Sequence, residues 1–185
     1  MQVQFSFLQT FLRQKGMVGS MLPSSNFLAE KMLSEVDFST TQLIVEFGPG
    51  NGIFTKKILQ RMRPDAKLIV YELNETFFNN LEADIKDPRV TLIHGSAESI
   101  LAYAKAHNLG PVDCIISSLP LTNLSDTLID NILHASNSAL KPSGKFIQFQ
   151  YTPIRYKQLK SVFKSLDMSF TAFNFPPAFV YTCTK

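Results

Sequence analysis

The sequence predicts an α/β fold: a doubly wound, seven-stranded, mostly parallel sheet preceded by helices. Three observations carry this. The runs Leu43-Ile44-Val45, Leu68-Ile69-Val70-Tyr71 and Cys114-Ile115-Ile116 are apolar throughout, as strands buried on both faces are. Stretches of helical spacing separate them, which is the alternation of a parallel sheet. The turn Gly48-Pro49-Gly50-Asn51-Gly52 joins the first strand to a helix, a junction at which backbone can approach a ligand closely.

The chain has 185 residues, enough for one domain and one core. It divides into a helical segment over 1–38 and a core over 39–185. The net charge of +3, from 18 basic and 15 acidic residues, is too small to argue for nucleic acid as a partner. The two cysteines, Cys114 and Cys183, lack metal-ligand spacing, and Cys114 reads as a small core residue. No run approaches the ~18 apolar residues of a membrane span, and the start lacks the order of a signal peptide. The expectation is a cytoplasmic monomer without a metal.

At the N-terminus, Phe5, Phe7, Leu8, Phe11 and Leu12 fall on one helical arc, with Arg13 and Lys15 near its end. Two readings stay open: a helix packed on its own sheet, or an interfacial helix on the inner face of an anionic membrane. Gly16 to Ser20 break this helix, and Pro23-Ser24-Ser25-Asn26 start another. Strands are expected at 42–47, 67–72, 90–94, 112–116, 145–151, 169–173 and 178–182. Helices are expected at 53–62, 75–85, 99–107, 126–140 and 156–166, with Asn74 as a cap and Pro142-Ser143-Gly144 as a terminator.

Ligands of such sheets bind beyond the C-terminal strand ends. The spacing at the first turn is G-x-G-x-G, and Ile53 stands where the dinucleotide fingerprint has its third glycine. Glu72 ends the next strand, followed by Leu73, where an acid can chelate the two ribose hydroxyls of an adenosine. NAD is the competing ligand, weakened by Ile53 and by Pro49. Glu46-Phe47-Gly48-Pro49-Gly50-Asn51-Gly52 with Glu72 resembles the first two motifs of class I S-adenosylmethionine-dependent methyltransferases. That resemblance implies a Rossmann-like fold whose closing strand pair is an antiparallel edge hairpin. Gly48, Pro49, Gly50 and Gly52 would face the methionine half of the cofactor, and Glu46 its ammonium, directly or through water. Ser96-Ala97 lies where the family places Asp-Ala against the adenine amino group.

The fourth strand ends in Ser117-Ser118-Leu119-Pro120-Leu121. Adenine and cytosine amino methyltransferases carry a Pro-rich motif here that ends in an aromatic ring; Leu121 stands in its place, so the loop has no ring to stack on a base. Phe11-Leu12-Arg13, the segment Val18 to Ser25, the glycine turn, this loop, Gln148-Phe149-Gln150-Tyr151 and Asn174-Phe175-Pro176-Pro177-Ala178 together resemble the bacterial phospholipid N-methyltransferases. The first motif is also similar to that of rRNA adenine dimethyltransferases. The resemblance implies methylation of an aminolipid amine, phosphatidylethanolamine towards phosphatidylcholine or an ornithine lipid, by in-line displacement at the sulfonium. Tyr151, Ser117 and Ser118 are the candidates to touch the acceptor, as hydrogen-bond partners or as a base; Ser117 also borders the cofactor. Pro23, Ser24, Ser25, Leu119, Pro120 and Asn174 would line or cover the acceptor. An RNA or small-molecule methyltransferase and a non-catalytic cofactor-binding protein are the alternatives.

Overall fold

The computed structural model describes residues 23–172 and 176–185. The expectations for Phe5, Phe7, Leu8, Phe11, Leu12, Arg13 and Asn174 lie outside the described residues. Helix α1 (Pro23–Leu33) opens the described chain and includes Pro23, Ser24 and Ser25. Then follow β1 (Leu43–Phe47), α2 (Ile53–Arg61), β2 (Lys67–Glu72), α3 (Glu75–Asp84), β3 (Val90–His94) and α4 (Ile100–Ala106). The remainder is β4 (Val112–Ser117), α5 (Asp126–Ala139), β5 (Leu140–Gln150), α6 (Tyr156–Val162), β6 (Ser165–Thr171) and β7 (Ala178–Thr184).

The seven strands form one sheet in the order β3-β2-β1-β4-β5-β7-β6. The pairs among β1 to β5 are parallel, and β7 runs antiparallel to both β5 and β6. Strand order reverses between β1 and β4, so the site expected at the C-terminal strand ends sits over that junction. Every residue of β1 is buried, whereas the edge strand β3 is only partly covered.

Alternation along the strands sends neighbouring residues to opposite faces. On one face, Val45, Phe47, Ile115 and Phe146 pack with Ile129 and Leu133 of α5 and Leu159 of α6. On the other, Ile44, Leu68, Ile116 and Ile147 pack with Met32 of α1 and Ile58 of α2. Helix α5 earns its place by period: Ile129, Ile132, Leu133 and Ser136 are buried, and Ser125 caps it by accepting from the Leu128 N–H. Asn74 caps α3 in the same way, accepting from the Phe77 N–H at 3.1 Å. Among the described residues no helix is long and apolar enough to cross a membrane.

Two boundaries differ from the sequence reading. Strand β5 starts at Leu140, not Lys145, because Pro142-Ser143-Gly144 forms a bulge rather than a plain helix terminator. Val112 pairs with Leu140 while Cys114 pairs with Lys145, and Ser143 takes a φ of 64° to make the excursion. The last helix stops at Val162 and β6 begins at Ser165, so the closing hairpin is longer than expected. Cys114 and Cys183 are both buried and unpaired, and burial pushes each thiol up to about 12.

Candidate active site

The turn after β1 is held by its own backbone. Gly48 N–H donates to the Tyr71 carbonyl at 2.9 Å, and Gly52 N–H to the Pro49 carbonyl at 3.0 Å. Gly48, Gly50 and Gly52 have φ values of 66°, 57° and 75°, which side chains rarely adopt. At Gly50 an added Cβ would meet nothing within 4 Å, so the turn is open on that side. Helix α2 follows at once, its first amides unsatisfied by any side-chain cap.

Glu72 ties this turn to the next one. One carboxylate oxygen accepts from Gly50 N–H at 3.1 Å and the other from Asn74 N–H at 2.8 Å. A carboxylate has about four acceptor positions, so each oxygen keeps room for a hydroxyl. Leu73 beside it is 65% exposed, an apolar side chain lying in the open next to the ribose-type acceptor.

Glu46 lies behind the turn rather than on its surface. It is fully buried, and neither carboxyl oxygen has a hydrogen-bond partner. Thr55 of α2 stands near enough to ease the burial, but no hydrogen bond of good geometry forms between them. Burial pushes the Glu46 carboxyl up to about 8, and the Glu72 charge adds to the rise. The group is therefore neutral near pH 7. Ser96 is half-buried; its carbonyl accepts from Ser99 N–H at 3.1 Å, and Ala97 is buried in the short 3-10 turn that follows.

The loop after β4 is the best-fixed part of the site. Ser118 N–H donates to the Phe47 carbonyl at 2.9 Å, locking the loop to β1 beside the glycine turn. Leu119 packs its side chain where a Cβ on Gly48 would come within 3.1 Å. Pro120 has φ −77° and ψ 75°, an inverse γ-turn, in which Leu121 N–H donates to the Leu119 carbonyl at 2.9 Å. Two side-chain amides of β5, Gln148 Nε2 and Gln150 Nε2, each donate to that same carbonyl at 3.0 Å. Leu121 is fully buried among core residues.

Of the candidates to touch the acceptor, Ser117 is fully buried and its hydroxyl accepts from Leu119 N–H at 3.4 Å, so it shapes the loop. Ser118 Oγ is hidden from water and has no partner. Tyr151 follows β5, its ring edge-on to Phe149 at 5.6 Å, and Phe149 in turn stacks with Phe54 at 6.4 Å. Thr55 and Phe54 were not marked by any sequence motif, and Gln148 and Gln150 were marked only by resemblance, with no sign that both would bond the Leu119 carbonyl. Their roles come from contacts between distant segments.

These residues fit S-adenosylmethionine. The left-handed glycines with open space beside Gly50 can admit a ligand against backbone. Glu72 retains acceptor capacity for paired hydroxyls, and Glu46 is an unpartnered buried carboxyl beneath the turn.

Comparison with known proteins agrees. Residues 2–153 match the family described as ribosomal RNA adenine dimethylase. An ornithine lipid N-methyltransferase of Singulisphaera acidiphila is 27% identical over 97% of this chain and 94% of its own length. The fold matches the precorrin-6y C5,15-methyltransferase of Geobacter metallireducens with a TM-score of 0.68 at 14% identity, covering 91% of this chain and 93% of that one. It matches the N-methyltransferase NodS of Bradyrhizobium japonicum, determined with S-adenosyl-L-homocysteine, with a TM-score of 0.67 at 11% identity, covering 88% of each chain. The chain thus belongs to the ribosomal RNA adenine dimethylase family and is an S-adenosylmethionine-dependent methyltransferase.

Proposed function

We propose that this enzyme methylates the amine of an aminolipid headgroup, an ornithine lipid or phosphatidylethanolamine, the latter towards phosphatidylcholine. The observation that carries this reading is the closed carbonyl of Leu119. Two glutamine amides and the Leu121 N–H already donate to it, and a carbonyl has two lone pairs. It has no capacity left to receive the amino group of a base. Leu121, where a stacking ring would stand, points into the core and leaves no face for a base. An aliphatic amine needs neither. The similarity along nearly the whole chain to a protein named for ornithine lipid methylation supports the same reading.

When bound, S-adenosylmethionine supplies an electrophilic methyl group on its sulfonium. The chain's part is to hold and to exclude. Gly48, Pro49, Gly50 and Gly52 would hold it through backbone contact, and Glu72 would receive its ribose hydroxyls, with Leu73 beside its adenine. Ser96 and Ala97 would border the adenine edge. Glu46, neutral beneath the turn, would accept a hydrogen bond from its ammonium, directly or through water. On the acceptor side, Ser118 Oγ accepts a hydrogen bond from the amine and orients its lone pair, and the proton that the ammonium sheds goes to water. Tyr151 forms the wall beside it. Pro23, Ser24, Ser25, Leu119, Pro120 and Asn174 line or cover the acceptor, and the segment over residues 1–38 caps the core over 39–185. The enzyme works as a monomer on the inner face of a membrane, through Phe5, Phe7, Leu8, Phe11, Leu12 and Arg13.

The test is transfer of labelled methyl by purified protein to two acceptors in parallel: mixed micelles containing phosphatidylethanolamine and ornithine lipid, and total RNA. Label in a lipid headgroup is expected. Label in RNA alone would overturn the reading and restore the base-directed alternative.

A further inference from the structure

We propose that Thr55 is a positioning residue for the cofactor's ammonium: its hydroxyl ties down one oxygen of the buried Glu46 carboxyl, so that the other oxygen is presented to the ammonium. This rests on the placing of Glu46 against that ammonium. The two side chains share one closed space beneath the glycine turn. Both residues are fully buried. The two carboxyl oxygens of Glu46 and the Thr55 hydroxyl are hidden from water and have no hydrogen-bond partner among the described residues. Their surroundings are apolar. In the sheet Glu46 lies between Val70 and Ile116, both fully buried. Ile44 of β1 and Ile58 of α2 pack on the same face. Glu72, whose charge acts on Glu46, has its own oxygens engaged by Gly50 N–H and Asn74 N–H.

Helix geometry aims Thr55 at the carboxyl. It is the third residue of α2, and the first intrahelical bond is made by the next residue, Lys56 N–H to the Gly52 carbonyl at 2.9 Å. The Thr55 N–H therefore belongs to the free amides at the helix start. Its hydroxyl leans towards the same end, because helical side chains tilt towards the N-terminus. A Cβ on Gly52 would lie 3.8 Å from the hydroxyl oxygen, which puts that oxygen under the turn. Both the hydroxyl and the N–H act on Glu46. An untethered carboxyl can turn either oxygen towards an arriving ammonium, and an O–H turned that way sets donor against donor. A threonine hydroxyl both donates and accepts. With Glu46 neutral, its O–H donates to Thr55 Oγ1, and the carbonyl oxygen is the one left to accept from the ammonium. Binding then completes hydrogen bonds that the empty protein leaves unmade, in a space from which water is excluded.

The experiment compares two ligands that share the adenosine half. S-adenosylhomocysteine carries the ammonium; 5′-methylthioadenosine lacks the amino-acid part altogether. Affinities are measured by titration calorimetry on the full chain and its variants, with thermal unfolding as the check on folding. Thr55→Val removes the hydroxyl and keeps the branched shape. It should weaken S-adenosylhomocysteine about tenfold and leave 5′-methylthioadenosine within about twofold of the native chain. Thr55→Ser, which keeps the hydroxyl, should hold S-adenosylhomocysteine within about threefold of native. In a Glu46→Ala background Thr55→Val should cost nothing further, since no carboxyl is left to position. Equal losses for both ligands in Thr55→Val would overturn the proposal and make Thr55 a brace of the cradle. Native affinity for both would overturn it as well. A serine variant as weak as the valine one would assign the effect to packing of the methyl group, and a Thr55→Val loss that persists in the Glu46→Ala background would separate Thr55 from Glu46; either result sinks the proposal. Native affinity of Glu46→Ala for S-adenosylhomocysteine would remove Glu46 from the ammonium and the proposal with it. That result is read on Glu46→Ala alone, and so is distinct from a failure at Thr55.

Discussion

The two halves of the site are built on opposite terms. Around β1 and β2 the backbone is left open. The glycines hold positive φ with free space at Gly50, and Glu72 uses two hydrogen bonds to brace the turns while keeping acceptor capacity. Around β4 and β5 the backbone is closed. The Leu119 carbonyl takes three donors and Leu121 is sealed in the core. A common cofactor needs a common cradle, so the first half conforms to the superfamily. The acceptor is where members of one fold diverge, and the difference is written in which backbone groups remain available.

The largest effect should come from breaking the open half. Gly50→Val puts a β-branched side chain at φ 57°, in the space the cofactor needs. The empty protein has room for it, so it should fold with a penalty of about 1–2 kcal/mol from the left-handed conformation. Titration with S-adenosylhomocysteine should show affinity at least about a hundredfold weaker. Native affinity would mean that the cradle has been misplaced.

The closed half should respond differently. Gln148→Leu with Gln150→Leu removes two hydrogen bonds of about 1 kcal/mol each and frees the Leu119 carbonyl. Methyl transfer should fall about tenfold or more, while cofactor affinity stays within about twofold. A parallel loss of both would show that the loop is coupled to the cradle and that the halves are not independent.

The smallest effect concerns Glu46. Its carboxyl titrates at about 8 in the folded protein against 4.5 ordinarily, because burial opposes the charge. Below pH 4.5 both states hold the proton, and Glu46 contributes no pH dependence. As pH rises from there, the unfolded chain releases its proton while the folded one keeps it, so Glu46 progressively subtracts stability up to about pH 8. Glu46→Gln should flatten that part of the profile of unfolding midpoint against pH. An unchanged slope would place the burden on other groups.

Much of this was legible in the sequence. The apolar runs gave the parallel strands, because burial on both faces leaves no alternation to hide them. The glycine turn and Glu72 were visible because their spacing is local. What escaped was long-range. Nothing near Leu119 announces that amides 29 and 31 residues later will occupy its carbonyl. Pro142-Ser143-Gly144 reads as a helix stop on local chemistry, yet the pairing of β4 with β5 turns it into a bulge. The aromatic contact of Phe54 with Phe149 joins helix α2 to strand β5, seven elements further along the chain. Local rules find elements and turns. They do not find the cross-sheet contacts that decide which polar groups are spent.

The two cysteines follow from the same architecture. Cys114 sits in β4 and Cys183 in β7, on opposite faces of the sheet, both buried and both held far from the thiolate form. In the native state they are chemically silent towards alkylating reagents and oxidants. They become reactive only when the strands around them separate, so between them they form a two-channel clock that ticks once for each opening of the sheet, one channel for each core.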